Sequence, residues 1–542
     1  MRRFVLPAVL SLVATLGGVG VAAPSGSLLP TDTQQQVSAE PPVPVPPTPS
    51  CKVALMTHDF KNSYGKPFNG TYVPPARCKG PWAAVVLTLT GTVAGTQFDR
   101  DVYVAIGHAV VLDGTTSEPC CTGNATTWTV QRDVTDVSPL LRSRQPVQVE
   151  LDNVNDATYT GVYHVVLSLT FYRTDETNPR GPSPDRVVPI SSSSKSGPML
   201  SISKNGPQRV GARVVFPRNL MSLNAQVFAD SHGPCEEFWW AEPGQCPGKP
   251  NREIAVYVDG RLAGAAPAYP AVYTGAGGPG LWEPIPAPRA WNLRPYDLDL
   301  TPFVALLADG KPHSVQLGVL DLALGNGDFW ALAANLQIWT ARSHARTHGH
   351  LLSASAPAAP THSVSDPTKL GAPYTDTASH TLKFVGEVDY DTYHTVVTVT
   401  EQMGVSATQA AAVFNAKWTW ENSTQTDAVG NSVIEKVGGE YDLASDLLTY
   451  YDLGDSVTTE TDANLMQIGS STKAMSLHTA DATGIAYNGA EEETYSYSNP
   501  RAGLCWDHYL AAQAGVVTVD ESLPGKCTLA RASRAVRSSS AG

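Results

Sequence analysis

Short β-branched runs recur along this chain and are separated by glycine, proline, aspartate and asparagine. Four of them fall in the first third: AAVVLTLTGTV (83–93), VYVAIGHAVVL (102–112), PVQVELDNV (146–154) and VYHVVLSLTFY (162–172). Such runs with turn residues between them are typical of antiparallel strands in β sandwiches. Only 16% of the residues are charged, whereas Gly (45) and Pro (42) are abundant, and this balance also favours turn-rich β structure.

The length of the chain indicates several domains. A chain of 542 residues is too long for one hydrophobic core. We expect two sandwiches that pack together and a third β-rich unit, with polar linkers at 174–199 and 341–364. One short helix is expected at ATQAAAVFNA (407–416). The predicted units are a signal peptide at 1–23, a proline-rich linker at 24–50, sandwiches at 51–175 and 200–340, and an accessory β-rich domain at 365–530.

The first residues, MRRFVLPAVLSLVATLGGVGVAA, have the pattern of a signal peptide. Arg2 and Arg3 precede an apolar run, and small residues offer a cleavage site at its end. A membrane anchor is the alternative, but it needs a longer apolar span without glycines at its end. We therefore expect a secreted or periplasmic monomer that is free of the membrane after cleavage. The net charge of −13 argues against nucleic acid and anionic membranes as partners.

Export makes the eight cysteines candidates for disulfide bonds. They fall in pairs that are local in sequence, although the residues alone leave the connectivity open. Zinc binding is the alternative, but the sequence has no CxxC pair and its histidines are scattered, so we expect no metal site. The local pairs are Cys51/Cys78, Cys120/Cys121, Cys235/Cys246 and Cys505/Cys527.

Carboxylates in loops are the first candidates for chemistry, because the sequence has neither a GxSxG elbow nor a Walker loop. TQFDRD (96–101) places Asp99 and Arg100 just ahead of a strand, where a surface salt bridge is the alternative interpretation. LDNVNDATYTGVYH (151–164) brings Asp152 and Asn153 close to tyrosines. Asx turns in a hairpin would explain this second group equally well.

Two aromatic-rich stretches are further candidates. LWEPIPAPRAW (281–291) is a proline-stiffened loop whose aromatic residues could stack on sugars or cover a core. In CEEFWW (235–240), an extended backbone would put Glu237 and Trp239 on the same face. An acid against an indole loses hydration, so its pKa rises toward the range that is useful for proton transfer. The alternative is a carboxylate that holds a loop closed by a disulfide.

Together these stretches resemble the peptide-N-glycosidase A family, amidases that remove N-linked glycans from asparagine. A more distant resemblance exists to peptide-N-glycosidase F, and it implies two adjacent jelly-roll sandwiches with the site between them. The matching segments, in order, are QFDR (97–100), TTWTVQRDVT (126–135), NDATYTGVYHV (155–165), FPRN (216–219), EFWW (237–240), YVDGRLAG (257–264), LWEPI (281–285) and YDLDLTPF (296–303).

The resemblance also implies roles for individual residues. The aromatic-Asp-Arg motif assigns the catalytic aspartate to Asp99, and the Cys-Glu-Glu-Phe pattern assigns the essential glutamate to Glu237. Asp99 would act as the general acid and base that transfers protons, and Glu237 would position water and the amide. The residues expected to bind substrate are Arg100, Trp128, Asp152, Asn153, Trp239, Trp282, Glu283 and Arg289, with Glu150 as the alternative to Asp152 for a third acid near the strand end VELDN.

The activity implied by the resemblance is hydrolysis of the side-chain amide between asparagine and the first N-acetylglucosamine, without a metal or cofactor. The substrates would be N-glycosylated peptides and proteins, including those with a core α1,3-fucose. Two alternatives remain open on residue chemistry alone. A glycosidase also uses two carboxylates, and a non-catalytic glycan-binding sandwich would use the same aromatic loops.

Overall fold

The computed structural model describes residues 36–525 with internal gaps, and for most of residues 409–525 it describes the backbone alone. The signal peptide predicted at 1–23 therefore lies outside the described residues. The gaps fall at residues 39, 41, 120–124, 182, 195–196, 234, 236–245, 250, 269–272, 275–283, 287–288, 343–344, 366–373, 392, 411–412, 430–440, 453–458, 469–470, 481–489, 500–503 and 514–515.

The first eight strands form a sandwich of two antiparallel sheets, in the orders β1-β8-β3-β6 and β2-β7-β4-β5. Strand β8 shows the alternating sequence pattern that gives a strand one buried face. Every second residue is a large apolar one and is at most 1% exposed: Tyr163, Val165, Leu167, Leu169 and Phe171. The strands are β1 (Ser50–Phe60), β2 (Phe68–Tyr72), β3 (Trp82–Ala94), β4 (Asp101–Ile106), β5 (Ala109–Thr115), β6 (Ala125–Asp133), β7 (Gln145–Leu151) and β8 (Tyr163–Arg173).

The next strands form a second sandwich with the same strand order, β10-β17-β12-β15 facing β11-β16-β13-β14, while β9 pairs with β17. Its strands are β9 (Arg186–Ile190), β10 (Leu200–Ser203), β11 (Val210–Val215), β12 (Leu220–His232), β13 (Glu253–Val258), β14 (Arg261–Pro267), β15 (Tyr296–Asp299), β16 (Pro312–Leu320) and β17 (Phe329–Thr340). In the part of the chain that the structure describes, the helical segments are α1 (Val304–Leu307) and 3-10 turns at Ala76–Cys78, Thr135–Val137, Leu140–Arg142 and Thr301–Phe303.

The two sandwiches pack together through β5, β12 and β17. Val110 of β5 forms a buried apolar cluster with Phe228 of β12 and Ala333 of β17. The amide of Asn335, also on β17, donates to the Val110 carbonyl at 2.7 Å. Because these contacts join the sheets face to face, β17 is buried on both sides.

The remaining strands form one large antiparallel sheet, in the order β18-β20-β21-β22-β23-β24-β25-β26-β27-β28, with β19 also paired to β20. Its first strands pack on the second sandwich, where the ring of Phe384 lies 5.4 Å from that of Phe303. The strands are β18 (Leu351–Ser355), β19 (Thr361–Val364), β20 (Tyr374–Tyr390), β21 (Tyr393–Ala410), β22 (Val413–Val429), β23 (Tyr441–Asp452), β24 (Thr459–Ile468), β25 (Ser471–Ala480), β26 (Ala490–Asn499), β27 (Leu504–Gln513) and β28 (Val516–Gly525).

The all-β prediction is confirmed. The jelly-roll assignment stays a prediction, with which the shared strand order of the two sandwiches agrees. The helix predicted at 407–416 is wrong, because β21 runs through Ala410 and β22 resumes at Val413. Pairing of β21 with a neighbour on each side outweighs the helix propensity of the alanines. The segments predicted as linkers also contain strands, namely β9 in 174–199 and β18 and β19 in 341–364.

Two of the predicted disulfides are present, Cys51–Cys78 and Cys235–Cys246. Cys120, Cys121 and Cys527 lie outside the described residues, and the side chain of Cys505 is not described. No helix in the described part of the chain is long and apolar enough to span a membrane.

Candidate active site

The loop that leads into β4 carries Asp99 and Arg100. Gln97, which is only 2% exposed, fixes this loop. Its amide nitrogen donates to the Gly161 carbonyl at 3.1 Å, and its Oε1 accepts from Arg100 Nη2 at 2.6 Å and from the Phe98 N–H at 3.0 Å. A buried amide with partners on both atoms therefore holds the loop in one arrangement.

The segment that leaves β5 lies against the same loop. The Thr116 N–H donates to the Arg100 carbonyl at 2.8 Å, and the Arg100 N–H donates to Thr116 Oγ1 at 2.9 Å. The Thr116 carbonyl accepts from Thr274 Oγ1 at 2.5 Å, so a residue of the second sandwich's sequence also reaches this point. Three chain segments thus meet beside Arg100.

A single hydroxyl joins the two segments of the first sandwich. Tyr163 at the start of β8 places its Oη 2.5 Å from the Phe98 carbonyl oxygen and 3.0 Å from the Ser117 carbonyl oxygen. The residues that follow these two carbonyls are Asp99 and Glu118. The buried Tyr163 hydroxyl therefore joins the segment that carries Asp99 to the segment that carries Glu118.

Glu118 is a site residue that the sequence analysis missed. It is 7% exposed, and its Oε2 accepts the Asp99 N–H at 3.3 Å. Burial, followed by the charge of Asp99, raises the pKa of Glu118 to about 8. The available signal was weak: a lone glutamate in GTTSEPC (114–120), after a run of small residues at a strand end.

Arg289 reaches this end of β5 because the segment after 283 runs along the edge of the first sandwich. The Thr115 N–H donates to the Ala290 carbonyl at 2.8 Å, and the Leu293 N–H donates to the Asp113 carbonyl at 2.8 Å. Arg289 itself has a left-handed backbone with φ of 68°. The described end of the predicted aromatic loop, residues 289–291, thus lies along the edge of β5 in the first sandwich.

Arg289 is paired with the N-terminal segment. Its backbone N–H donates to Glu40 Oε1 at 2.8 Å, and its Nη1 lies 2.9 Å from Glu40 Oε2. The Gln36 N–H donates to Thr127 of β6, and the Val37 N–H donates to Pro284. Residues 36–40 therefore bridge the first sandwich and the loop that carries Arg289.

A buried network of charged groups lies between the two sandwiches, where β4, the strand that follows Asp99, meets β12. Tyr103 of β4 donates to Asp230 Oδ2 at 2.7 Å, and its hydroxyl lies 3.1 Å from His232 Nε2. His232 Nδ1 is 3.5 Å from Asp101 Oδ2. Burial lowers the pKa of His232, but Asp101 and Asp230 outweigh it and raise that pKa to about 10. A cationic His232 thus links β12 to the strand that follows Asp99.

Asp152 lies within the electrostatic reach of Arg100. Its Oδ1 accepts the Gly65 N–H at 2.9 Å. Burial raises the pKa of Asp152, and the Gly65 N–H and the Arg100 charge oppose this. The structure therefore brings Asp152 close to the loop that carries Asp99 and Arg100, while Arg289 lies next to the edge of β5.

Two of the residues predicted to bind substrate do not face this site. Trp128 is 1% exposed and packs edge-to-face on Tyr163, with ring centroids 6.0 Å apart, so it offers no stacking surface. Asn153 is fully buried, and its Nδ2 donates to the Phe60 and Gly161 carbonyls at 3.0 and 3.1 Å. Both residues stabilise the first sandwich, because the ring of Trp128 packs inside its core and the amide of Asn153 is hydrogen-bonded to backbone carbonyls.

Comparison with known proteins assigns the chain to a family. The family model described as peptide N-acetyl-beta-D-glucosaminyl asparaginase amidase A matches residues 30–357. The chain belongs to this amidase A family. The match covers both sandwiches and all the site residues described above.

Two individual proteins are also similar to this amidase A family member. Peptide-N4-(N-acetyl-beta-glucosaminyl)asparagine amidase A of Prunus dulcis is 32% identical over 337 residues, which cover 57% of this chain and 58% of that protein. The chain thus spans little more than half the length of this relative. A solved structure of PNGF-II in a C2 space group has 14% identity and a TM-score of 0.38, over 54% of this chain and 66% of that chain.

Four predicted site residues of this amidase A family member lie outside the described residues: Glu237, Trp239, Trp282 and Glu283. The ends of the segment that holds Glu237 are described. Cys235 follows the buried network at the end of β12, its N–H donates to Asp328 Oδ1 at 3.2 Å, and its disulfide to Cys246 closes the segment. Both ends of 236–245 are therefore anchored.

Among the described residues, two groups bring three potential metal ligands within 4.8 Å of one another: Asp101, Asp230 and His232, and Glu387, Asp389 and His394. In the first group, the Tyr103 hydroxyl already binds Asp230 and His232. In the second, His394 is paired with Asp389. Each group is explained by ion pairs and hydrogen bonds, so we assign no metal to either.

Proposed function

We propose that this protein is an amidase that hydrolyses the side-chain amide between asparagine and the first N-acetylglucosamine of N-glycans, giving aspartate and a glycosylamine. One observation carries the proposal: the amidase A family match over residues 30–357 includes Asp99, Arg100 and Arg289, to which the proposal assigns roles. The substrates are N-glycosylated peptides and proteins. Tolerance of a core α1,3-fucose and action outside the cell belong to the proposal and are supported by the sequence resemblance and the N-terminal pattern.

The proposed reaction forms one bond and breaks one. The oxygen of a water molecule adds to the amide carbon, and the carbon–nitrogen bond then breaks. Asp99 takes a proton from the water and returns it to the leaving nitrogen, so the glycosylamine departs neutral. Glu237 positions the water and the amide.

The remaining groups orient the substrate. The guanidinium groups of Arg100 and Arg289 are donors for sugar or carbonyl oxygens, and Trp239 and Trp282 supply stacking surface for sugar rings. The Gln97 and Thr116 hydrogen bonds hold Arg100 before substrate binds. This pre-organisation is what an amide requires, because the reacting atoms must be held in contact with the acids.

The proposed function is tested with Asp99→Asn in a purified full-length protein. Because general acid–base catalysis contributes roughly 10²- to 10⁴-fold, we expect glycan release from an N-glycopeptide to fall by about that factor. Binding of the glycopeptide, measured by titration calorimetry, should persist. Release is quantified by chromatography of the glycan and the peptide.

Asp175→Asn is the matched control, because Asp175 is an exposed turn aspartate of the same sandwich that binds Thr177 and Asn178. It should leave glycan release unchanged. Full release by the Asp99 variant, or binding without any release by the natural protein, would contradict the amidase and favour a glycan-binding protein.

A further inference from the structure

Glu118 is the buried acid of the site that the proposed reaction does not use. Its Oε2 accepts the Asp99 N–H at 3.3 Å, and its carboxyl also hydrogen-bonds the Asp99 carboxyl. Two observations show that this contact is built into the fold. Tyr163 ties the carbonyl before each acid to one hydroxyl, and the Thr116–Arg100 hydrogen bonds hold the two segments side by side.

The surroundings of Glu118 favour its neutral form. The side chain is almost fully buried. Among the described residues, the titratable groups that face it are Asp99, Arg100 and Tyr163. Burial and then the Asp99 charge raise the pKa of Glu118 to about 8, although the Asp99 N–H and Arg100 oppose the shift. Two carboxyl groups in contact cannot both ionise without repulsion, so the pair holds one proton over a wide pH range.

We propose that Glu118 is a positioning residue for Asp99: its protonated carboxyl donates a hydrogen bond to the Asp99 carboxylate, while its Oε2 accepts the Asp99 N–H. This pair of bonds fixes both the backbone and the carboxylate of Asp99. Glu118 keeps its proton throughout the reaction, so Asp99 alone exchanges protons with water and the leaving nitrogen. The inference deepens the proposed amidase function and rests on it.

The pH dependence follows from the same contact. Below pH about 8, Glu118 carries its proton and holds Asp99 in place. Above it, the ionised Glu118 repels the Asp99 carboxylate, and kcat/KM should fall by about tenfold per pH unit. The loss therefore reports the state of Glu118 rather than that of the substrate.

The test compares pH profiles of kcat/KM for the natural protein, Glu118→Gln and Glu118→Ala. A glutamine keeps both hydrogen bonds at every pH, so E118Q should lower kcat/KM at pH 6 only several-fold and should lose the decline above pH about 8. Alanine removes both bonds, so E118A should lie about 10²-fold below the natural protein at pH 6 and should also lack the decline above pH about 8. Rescue by glutamine separates positioning of Asp99 from simple stabilisation of the fold.

Glu401→Gln is the matched control, because burial raises the pKa of Glu401 to about 8 as well, yet it lies on β21 and binds β14 of the second sandwich. E401Q should keep the alkaline decline. Loss of the decline in E401Q with its retention in E118Q would overturn the proposal, as would equal activities of E118Q and E118A.

Infrared titration tests the contact independently of activity. The natural-minus-E118Q difference spectrum should contain a protonated-carboxyl band at pH 6 that disappears with a midpoint near 8. In Asp99→Asn the midpoint should fall, because the Asp99 charge is gone. Absence of the band at pH 6 overturns the inference. If the natural protein releases no glycan, the amidase function fails, while the band and its shift in D99N still decide whether Glu118 is protonated against Asp99.

Discussion

At the residue scale, the candidate site depends on buried polar groups that hydrogen-bond the backbone of the catalytic loop. Gln97, Thr116 and Tyr163 belong to the core by burial, yet their polar atoms bind the backbone on either side of Asp99 and Arg100. Removal of one such group leaves a buried carbonyl without a partner, which typically costs about 1–3 kcal/mol. It also frees the loop to move, and this effect is specific to catalysis.

Tyr163→Phe separates these two effects. We expect it to lower the free energy of unfolding by about 1–2 kcal/mol and to reduce kcat/KM by roughly 10- to 100-fold, because one of the ties between the segments of Asp99 and Glu118 is lost. Chemical denaturation and glycan-release kinetics measure the two quantities.

Tyr72→Phe is its control. The Tyr72 hydroxyl, also buried in the first sandwich, donates to the Leu141 carbonyl at 2.8 Å. Its loss should destabilise the protein to a similar degree and leave kcat/KM unaltered. If both variants lose activity in proportion to their stability, Tyr163 is only a structural residue.

Residue types and spacing identify a site more readily than they identify burial. The TQFDRD stretch marks Asp99 and Arg100, and the structure places Asp152 within the electrostatic reach of Arg100. Trp128 and Asn153 belong to equally suggestive stretches but lie in the core. Nothing local shows this, because burial of Trp128 depends on Tyr163, thirty-five positions away in sequence. The sequence analysis missed Glu118 because its partner Asp99 is brought to it only by the pairing of β4 with β5.

At the element scale, β12 leads from the second sandwich into the segment that contains Glu237, the second predicted acid. It ends at His232 within the buried charge network, and the disulfide Cys235–Cys246 closes the next segment, which contains Glu237. Cys51–Cys78 instead ties the start of β1 to the turn after β2. Cys51 pairs with Phe171, eight residues along β8 from Tyr163, so it lies about 26 Å from the site.

Removal of each disulfide should therefore have a different effect. Replacing Cys235 and Cys246 with serine should cost about 3 kcal/mol of stability by loop-closure entropy and most of the glycan release. The Cys51–Cys78 disulfide closes a longer loop, so replacing both cysteines should cost about 3–4 kcal/mol, with release retained at temperatures where the protein is folded. Thermal unfolding and activity of the two double variants provide the comparison. Equal loss of activity in both would show that the 236–245 segment has no special part in catalysis.

The elements that could not be predicted are those whose pairing is decided at a distance. Strand β9 lies in a Pro/Ser-rich stretch that has little strand signal of its own, and it forms because β17 offers an open edge. The alanines near 410 favour a helix locally, but β20 and β22 supply partners on both sides of β21. Long alternating runs such as β3 and β8 could be predicted, because their pattern already encodes one buried face.

At the scale of the whole molecule, the large sheet formed by β18 to β28 is attached to the second sandwich by buried polar contacts. His380 of β20 lies 2.6 Å from Glu253 of β13, and both are nearly fully buried. Glu401 of β21 is completely buried, and its Oε2 accepts the Ala265 N–H of β14 at 2.7 Å. Burial raises the pKa of Glu401 from 4.5 to about 8, and the charges of Asp299 and Glu253 add to the effect.

This buried glutamate should make stability depend on pH. Between pH 4.5 and about 8, the folded protein keeps a proton that the unfolded chain has lost, so stability falls as pH rises by up to about 1.4 kcal/mol per unit. Glu401→Gln removes this titration. Calorimetric melting at several pH values should therefore show E401Q gaining stability relative to the natural protein as pH rises. Exposed Glu176→Gln is the control and should melt in parallel with the natural protein, whereas parallel curves for E401Q would contradict the assignment.

The central claim is that the bond broken is the asparagine side-chain amide. The most direct test is to incubate the protein with an N-glycopeptide in heavy-oxygen water and to analyse the peptide product by mass spectrometry. The amidase account predicts an aspartate in place of the glycosylated asparagine, with one heavy oxygen in its carboxyl group. A product that keeps its asparagine, bare or still bearing N-acetylglucosamine, would contradict the account.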